Sequence, residues 1–185
     1  MNRAKNKVTA PSDSDVVDMT LNQVKQIKQP DTWTVGQDRS ELEGPKREGQ
    51  PVRVMGYLWK AKREHAESCN CGLDKPGKPG ELLTDIHMVL NNKMNDPEAI
   101  SVTAEITPRV RAKRPDPQTW TWSNIKTLQG KFIRVTGYLM LDTEHLIHNP
   151  LVRATNWEVH PIMKLEVCNS TLAKCRQGNG WEEVQ

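Results

Sequence analysis

Residues 53–58 read RVMGYL and residues 134–139 read RVTGYL. The match runs outward on both sides, from GQPVRVMGYLWKAKREH at Gly49 to GKFIRVTGYLMLDTEH at Gly130. Such an echo is either a tandem duplication or two strands placed under the same demands. Within the first copy Val52, Val54, Gly56 and Leu58 alternate with Arg53, Met55, Tyr57 and Trp59. Within the second, Ile133, Val135, Gly137, Leu139 and Leu141 alternate with Arg134, Thr136, Tyr138 and Met140. A period of two is the mark of a strand with one face buried. A duplication would need a hairpin after the second copy as long as the one after the first. Only 40 residues follow His145, and they hold one clear strand, RATNWEVHPIMKLEV. The two copies are therefore read as two strands of one sheet.

Between them, ELLTDIHMVLNN places Leu82, Ile86, Met88 and Leu90 largely on one face, and ISVTAEITPRV does the same with Ile100, Val102, Ala104 and Ile106. With the turn NKMNDPEA between them, these two segments predict an antiparallel hairpin. Strand three is expected to run directly into PRVRAKRP. Asp116 and Pro117 then fit the start of a helix and Gly130 its end, with Trp122, Ile125 and Leu128 along one buried side. The order is strand, strand, strand, helix, strand, strand. It predicts a mainly β fold, a five-stranded Greek-key barrel with glycine relieving the bends in strands one and four. The barrel spans 49–167. Residues 1–48 read as a disordered lead, a short amphipathic helix (Val17, Leu21, Val24) stopped by Pro30, and a linker, and 168–185 read as an irregular tail.

This strand order and the GxxxRVxGYL pattern resemble OB-fold domains. More narrowly, HMVL, AEITPR, RVTGYLMLDTEH and ATNWEVHP look like segments of uncharacterised bacterial proteins, some of them exported. The broad resemblance implies a binding face on strands two and three, flanked by the loops joining strands one to two and four to five. It also implies a noncatalytic module for single-stranded nucleic acid, oligosaccharide or a protein partner. The narrow one implies no activity.

Composition bounds the rest. The chain has 185 residues, 36% hydrophobic and 26% charged, with a net charge of only +3. That surplus permits a nucleic-acid partner without demanding one. There is no apolar run of membrane-spanning length, no glycine-rich phosphate loop and no GxSxG elbow. The first residues lack the apolar core of an intact secretory signal, so an exported protein relieved of its signal and a cytoplasmic one both remain open. Cys168 and Cys175 fit a small disulfide loop. They fit equally well as partners of Cys69 and Cys71, and four thiolates on zinc would depart from the usual two-residue spacing.

Two sets of residues carry candidate chemistry. Tyr57, Trp59 and Tyr138, with Lys62, Arg63, Arg109 and Arg111, form an expected basic and aromatic surface, as single strands require. By alternation His87, Glu105, Glu158 and His160 face away from the barrel interior on strands two, three and five. His87, Glu105 and His160, with His145 as a further ligand or acid, are a donor set for a divalent metal, and hence for metal-assisted ester or phosphodiester hydrolysis. Cross-strand His–Glu hydrogen bonding is the alternative.

Overall fold

A computed structural model describes residues 7–34, 36–64, 84–146 and 152–185. Its centre is the pair of echoed segments. Strand β2 (Pro51–Arg63) and strand β5 (Phe132–Leu141) lie antiparallel, with Val54 opposite Val135, Arg53 opposite Thr136 and Met55 opposite Arg134. The two RVxG copies thus meet about a shared valine pair. The resemblance arises because each segment faces the other across one ladder and the same core.

Strands β3 (Ile86–Asn91) and β4 (Val102–Ile106) form the expected hairpin beyond β2. Strand β6 (Trp157–Cys168) runs antiparallel to β5 and touches β4 in parallel at Ala104 and Val159. The ring β2–β3–β4–β6–β5–β2 closes, giving a five-stranded barrel with the connection order of the OB-fold. Its interior holds Val54, Met88, Ala104, Val135 and Val159, with Trp120 and Ile125 fully buried from the segment between β4 and β5.

Several elements depart from the expected order. The amphipathic start is split: Val17–Thr20 is a strand, β1, parallel to β2, and only Leu21–Lys25 is a helix, α1. Thr20 and Gln23 form a capping box there, which turns the chain from strand into helix. Strand β4 does not run on into PRVRAKRP, because Thr107 caps a short helix, α2 (Pro108–Arg111), with Pro108 in its first turn. The single plug helix is instead a 3-10 turn (Pro117–Trp120), capped by Asp116, and then α3 (Trp122–Lys126), capped by Thr121. The tail is not irregular. Cys168 and Cys175 form a disulfide around α4 (Leu172–Arg176), and β7 (Trp181–Glu183) pairs with the end of β6. Cys69 and Cys71 lie outside the described residues. Among those described, no helix is long and apolar enough to cross a membrane.

The two glycines of the echo are not equivalent. A Cβ on Gly137 would lie 2.4 Å from the Pro161 carbonyl oxygen and 2.8 Å from Val159 Cγ1, where β5 shifts register against β6. A Cβ on Gly56 would meet Leu21 Cδ1 at 2.8 Å, the far end of a movable side chain, and the Asn91 carbonyl at 3.1 Å. Gly137→Ala is therefore expected to cost about 3 kcal/mol, near the top of the range for overpacking, and Gly56→Ala about 1 kcal/mol. Urea melts of the two variants check this ranking, and equal losses would contradict it.

Candidate metal centre

The register of three strands assembles one polar cluster. On β3, Ile86, Met88 and Leu90 point into the core, so His87 points out. On β4, Val102, Ala104 and Ile106 do the same and turn Glu105 outward. On β6, Trp157 and Val159 fill the core, leaving Glu158 and His160 on the outer side. His87 pairs directly with Glu105 across the hairpin. The parallel partner of Ala104 is Val159, which sets Glu105 beside the two residues flanking Val159.

The side chains meet. His87 Nε2 contacts Glu105 Oε1, and its Nδ1 lies 3.4 Å from Glu64 Oε1. His160 Nδ1 lies 2.7 Å from Glu105 Oε2 and 3.1 Å from Glu158 Oε1. On the far side Arg153 reaches Glu158 Oε2 at 3.4 Å and also contacts Asp142. Asp142 in turn accepts from the backbone N–H groups of Glu144 and His145 and lies 3.1 Å from His145 Nδ1. The result is a chain of alternating charge, Glu64–His87–Glu105–His160–Glu158–Arg153–Asp142–His145, across the outer face of the barrel. Its middle is closed to solvent, since the Glu105, Glu158 and His160 side chains are at most 3% exposed. Its ends are not, with 32% exposure at Glu64 and 75% at His145.

Electrostatics follow from this packing. Burial disfavours a charged imidazole at His87, but the Glu105 carboxylate outweighs it and takes the group up to about 9. His160 is likewise disfavoured by burial and is held well above its usual value by Glu105 and Glu158. Burial pushes Glu105 up, yet His160 and His87 hold it well below the ordinary carboxylate range. Glu158 goes the other way, raised first by burial and then by the like charge of Glu105.

The expected basic and aromatic surface divides into separate places. Lys62, paired with Glu98, and Arg63, which donates to Thr84 Oγ1, stand at the end of β2 next to Glu64 and His87. Trp59 sits at a bulge in β2, with Lys60 Nζ 5.7 Å from its ring centroid. Tyr57 packs edge-on against Phe132 at 5.1 Å, and Phe132 lies 5.8 Å from Trp181 under the Arg134 and Arg176 guanidinium groups. Tyr138 lies at the opposite end of β5 and is nearly buried, donating to the Thr9 carbonyl beneath Lys7. Arg109 is half-buried on α2. Arg111 is 1% exposed and donates to the Thr84 carbonyl at 2.6 Å, so it belongs to the interior and not to a ligand surface. Its position in a helical turn, in place of an extended strand, directs it inward.

Of the expected metal donors, His87, Glu105 and His160 come together, whereas among the described residues His145 connects to them through Asp142, Arg153 and Glu158. His148 lies outside the described residues. Sequence reasoning did not single out Arg153, and it placed Glu64 only at the start of a ligand loop, not in a cluster with His87. The available signal was charge balance, because outward carboxylates at Glu105 and Glu158 require nearby cations.

No protein-family model matches the chain, and no curated protein matches it. The narrower likeness to bacterial proteins thus has no family match behind it. Among solved structures, two of the asparaginyl-tRNA synthetase of Entamoeba histolytica are similar. The one in complex with asparaginyl-adenylate has a TM-score of 0.36 and 14% identity, over 69% of this chain and 22% of the synthetase. The other has a TM-score of 0.35 and 14% identity, over 70% and 23% respectively. The chain thus spans less than a quarter of either synthetase chain, and a likeness of this degree carries no function across.

The pH dependence of stability follows from the raised histidine. Unfolded His87 titrates near the ordinary value of 6.5 and folded His87 near 9. Its stabilising contribution is complete below 6.5, declines between 6.5 and 9, and is gone above. In chelator-treated protein the melting temperature should fall as pH rises through that window, and His87→Ala should flatten the fall. A wild-type melting temperature that rises from pH 6.5 to 9 would contradict this.

Proposed function

We propose that the chain is a noncatalytic OB-fold binding module. Its ligand is held on the face of β3 and β4, flanked by the loop between β2 and β3 and the loop between β5 and β6. One observation carries this reading: the buried ionic chain begins at Glu64, in the first of these loops, and ends at His145, in the second. Those loops flank the ligand face in barrels of this type. A rigid, desolvated floor with two solvent-exposed ends is costly to build, and fixing the geometry of a recognition surface supplies a reason to keep it. Lys62, Arg63 and Trp59 supply cations and a ring at the first end.

Single-stranded nucleic acid and oligosaccharide are the ligand classes this face suits, and they part on charge. With Lys62, Arg63 and Arg109 engaging phosphates, log K should fall with log salt at a slope of about −2 for a single strand. A neutral glycan would show no such slope. A second reading, metal-assisted hydrolysis of an ester or phosphodiester, is favoured by the convergence of Glu105, Glu158 and His160. In it His145, oriented by Asp142, carries the proton.

The test is a panel of fluorescent single strands and neutral oligosaccharides at low and high salt. The same samples, with and without manganese, are followed for cleavage. Binding that weakens about tenfold in Arg63→Ala, with the probe intact, supports the module. Absence of binding by both classes at low salt overturns it, and turnover that needs the metal replaces it with the hydrolase.

A further inference from the structure

Glu105, Glu158 and His160 offer one donor atom each, and the three atoms lie within 4.8 Å of one another, a spacing a single cation can bridge. We propose that these three residues bind one divalent transition-metal ion, zinc or manganese in preference to calcium or magnesium. This inference does not depend on which ligand the face recognises.

Charge balance is the first argument. Among the described residues, the chain across the face holds the carboxylates of Glu64, Glu105, Glu158 and Asp142 against one permanent cation, Arg153, and leaves the rest of the balance to the imidazoles of His87 and His160. The central two carboxylates share a site closed to water, where neighbouring like charges are expensive. Of these two, Arg153 reaches only Glu158, and from the side it shares with Asp142. A dication between Glu105 and Glu158 offsets both.

Unsatisfied valence is the second argument, and it is independent of the first. The His160 ring N–H is directed at Glu158 Oε1. Glu105 Oε2, although 2.7 Å from the same nitrogen, is buried and has no directed hydrogen bond. His160 Nε2 is also buried, with no hydrogen-bond partner among the described residues. Buried polar atoms are nearly always paired, so a buried carboxylate oxygen whose nearest nitrogen is already directed at a second carboxylate marks a position for a further positive centre. With an ion there, neutral His160 ligates through Nδ1 and both carboxylates through one oxygen.

Donor chemistry then selects the metal. One imidazole and two carboxylates form the mixed nitrogen and oxygen set that suits zinc, manganese or iron. Calcium takes six to eight oxygens, and magnesium keeps most of its water, which a pocket this closed does not accommodate. His87 then acts as a positioning residue. Its contact with Glu105 Oε1 orients the other oxygen of the same carboxylate toward the metal, a support whose loss commonly costs 10–100-fold in affinity.

The experiment is titration calorimetry of the chelator-stripped, full-length protein with zinc, manganese and calcium chlorides, alongside elemental analysis of protein as purified. One equivalent of zinc or manganese is expected, with calcium at least 100-fold weaker. Glu158→Gln combined with His160→Gln should abolish binding, His87→Ala should weaken it at least tenfold, and exposed His145→Ala should leave it unchanged. As a control independent of the folding of the double variant, the wild-type protein loaded with manganese is also examined by pulsed electron paramagnetic resonance. Coupling to a single imidazole nitrogen supports the site, and its absence overturns it. No stoichiometric metal in folded wild-type protein, or binding lost in His145→Ala, overturns it as well. Protein that takes up zinc yet binds no single strand or glycan keeps this inference while losing the binding-module reading, and the reverse result does the opposite.

Discussion

One residue pair joins the architecture to the chemistry. Where Ala104 of β4 lies beside Val159 of β6, the sheet closes on itself. The same pair fixes which residues stand next to Glu105 on the other face. A slip of one residue there would open the barrel and bring Glu105 into the core, because side-chain direction alternates with a period of two. Closure and site are therefore one constraint. The fully buried Ala104, Val159, Met88 and Val135 hold the register by packing from within. The ionic chain outside depends on that register and does not create it.

The energetics point the same way. A buried ion pair rarely exceeds the cost of desolvating its members, and apolar residues of similar volume would serve stability as well or better. Here that cost recurs along a chain in which Glu105, His160 and Glu158 are all closed to water. Removing one member would strand the others, at about 3–5 kcal/mol. Such a cluster is hard to explain by folding alone. It lies on the face where barrels of this order present their ligands, with both ends exposed in the flanking loops.

Much of this was legible in the chain because the signals were local and periodic. Alternating Val, Ile and Leu gave the five barrel strands, and the same alternation put His87, Glu105, Glu158 and His160 on one side. Elements without their own periodicity were missed. Strand β1 has four residues and exists through pairing with β2, while β7 has three and depends on the disulfide-held turn before it. Arg111 shows how a short helix reverses a prediction. Read as strand, PRVR projects its arginines to solvent. Capped by Thr107, it turns Arg111 under Thr84 and Trp120. Tyr138 failed for a long-range reason, since the segment covering it begins 129 residues earlier at Thr9. Contacts set by the tertiary fold leave no mark in a local pattern.

The central claim is that Glu105 is flanked by two imidazoles on a closed outer face. Nitrogen-15 spectra of the histidine side chains, recorded at pH 7 on chelator-treated protein, test it most directly. The geometry predicts His87 and His160 as imidazolium ions, both ring nitrogens protonated, with His87 losing its proton only near pH 9. Neutral rings at pH 7, titrating like free histidine, would contradict the account.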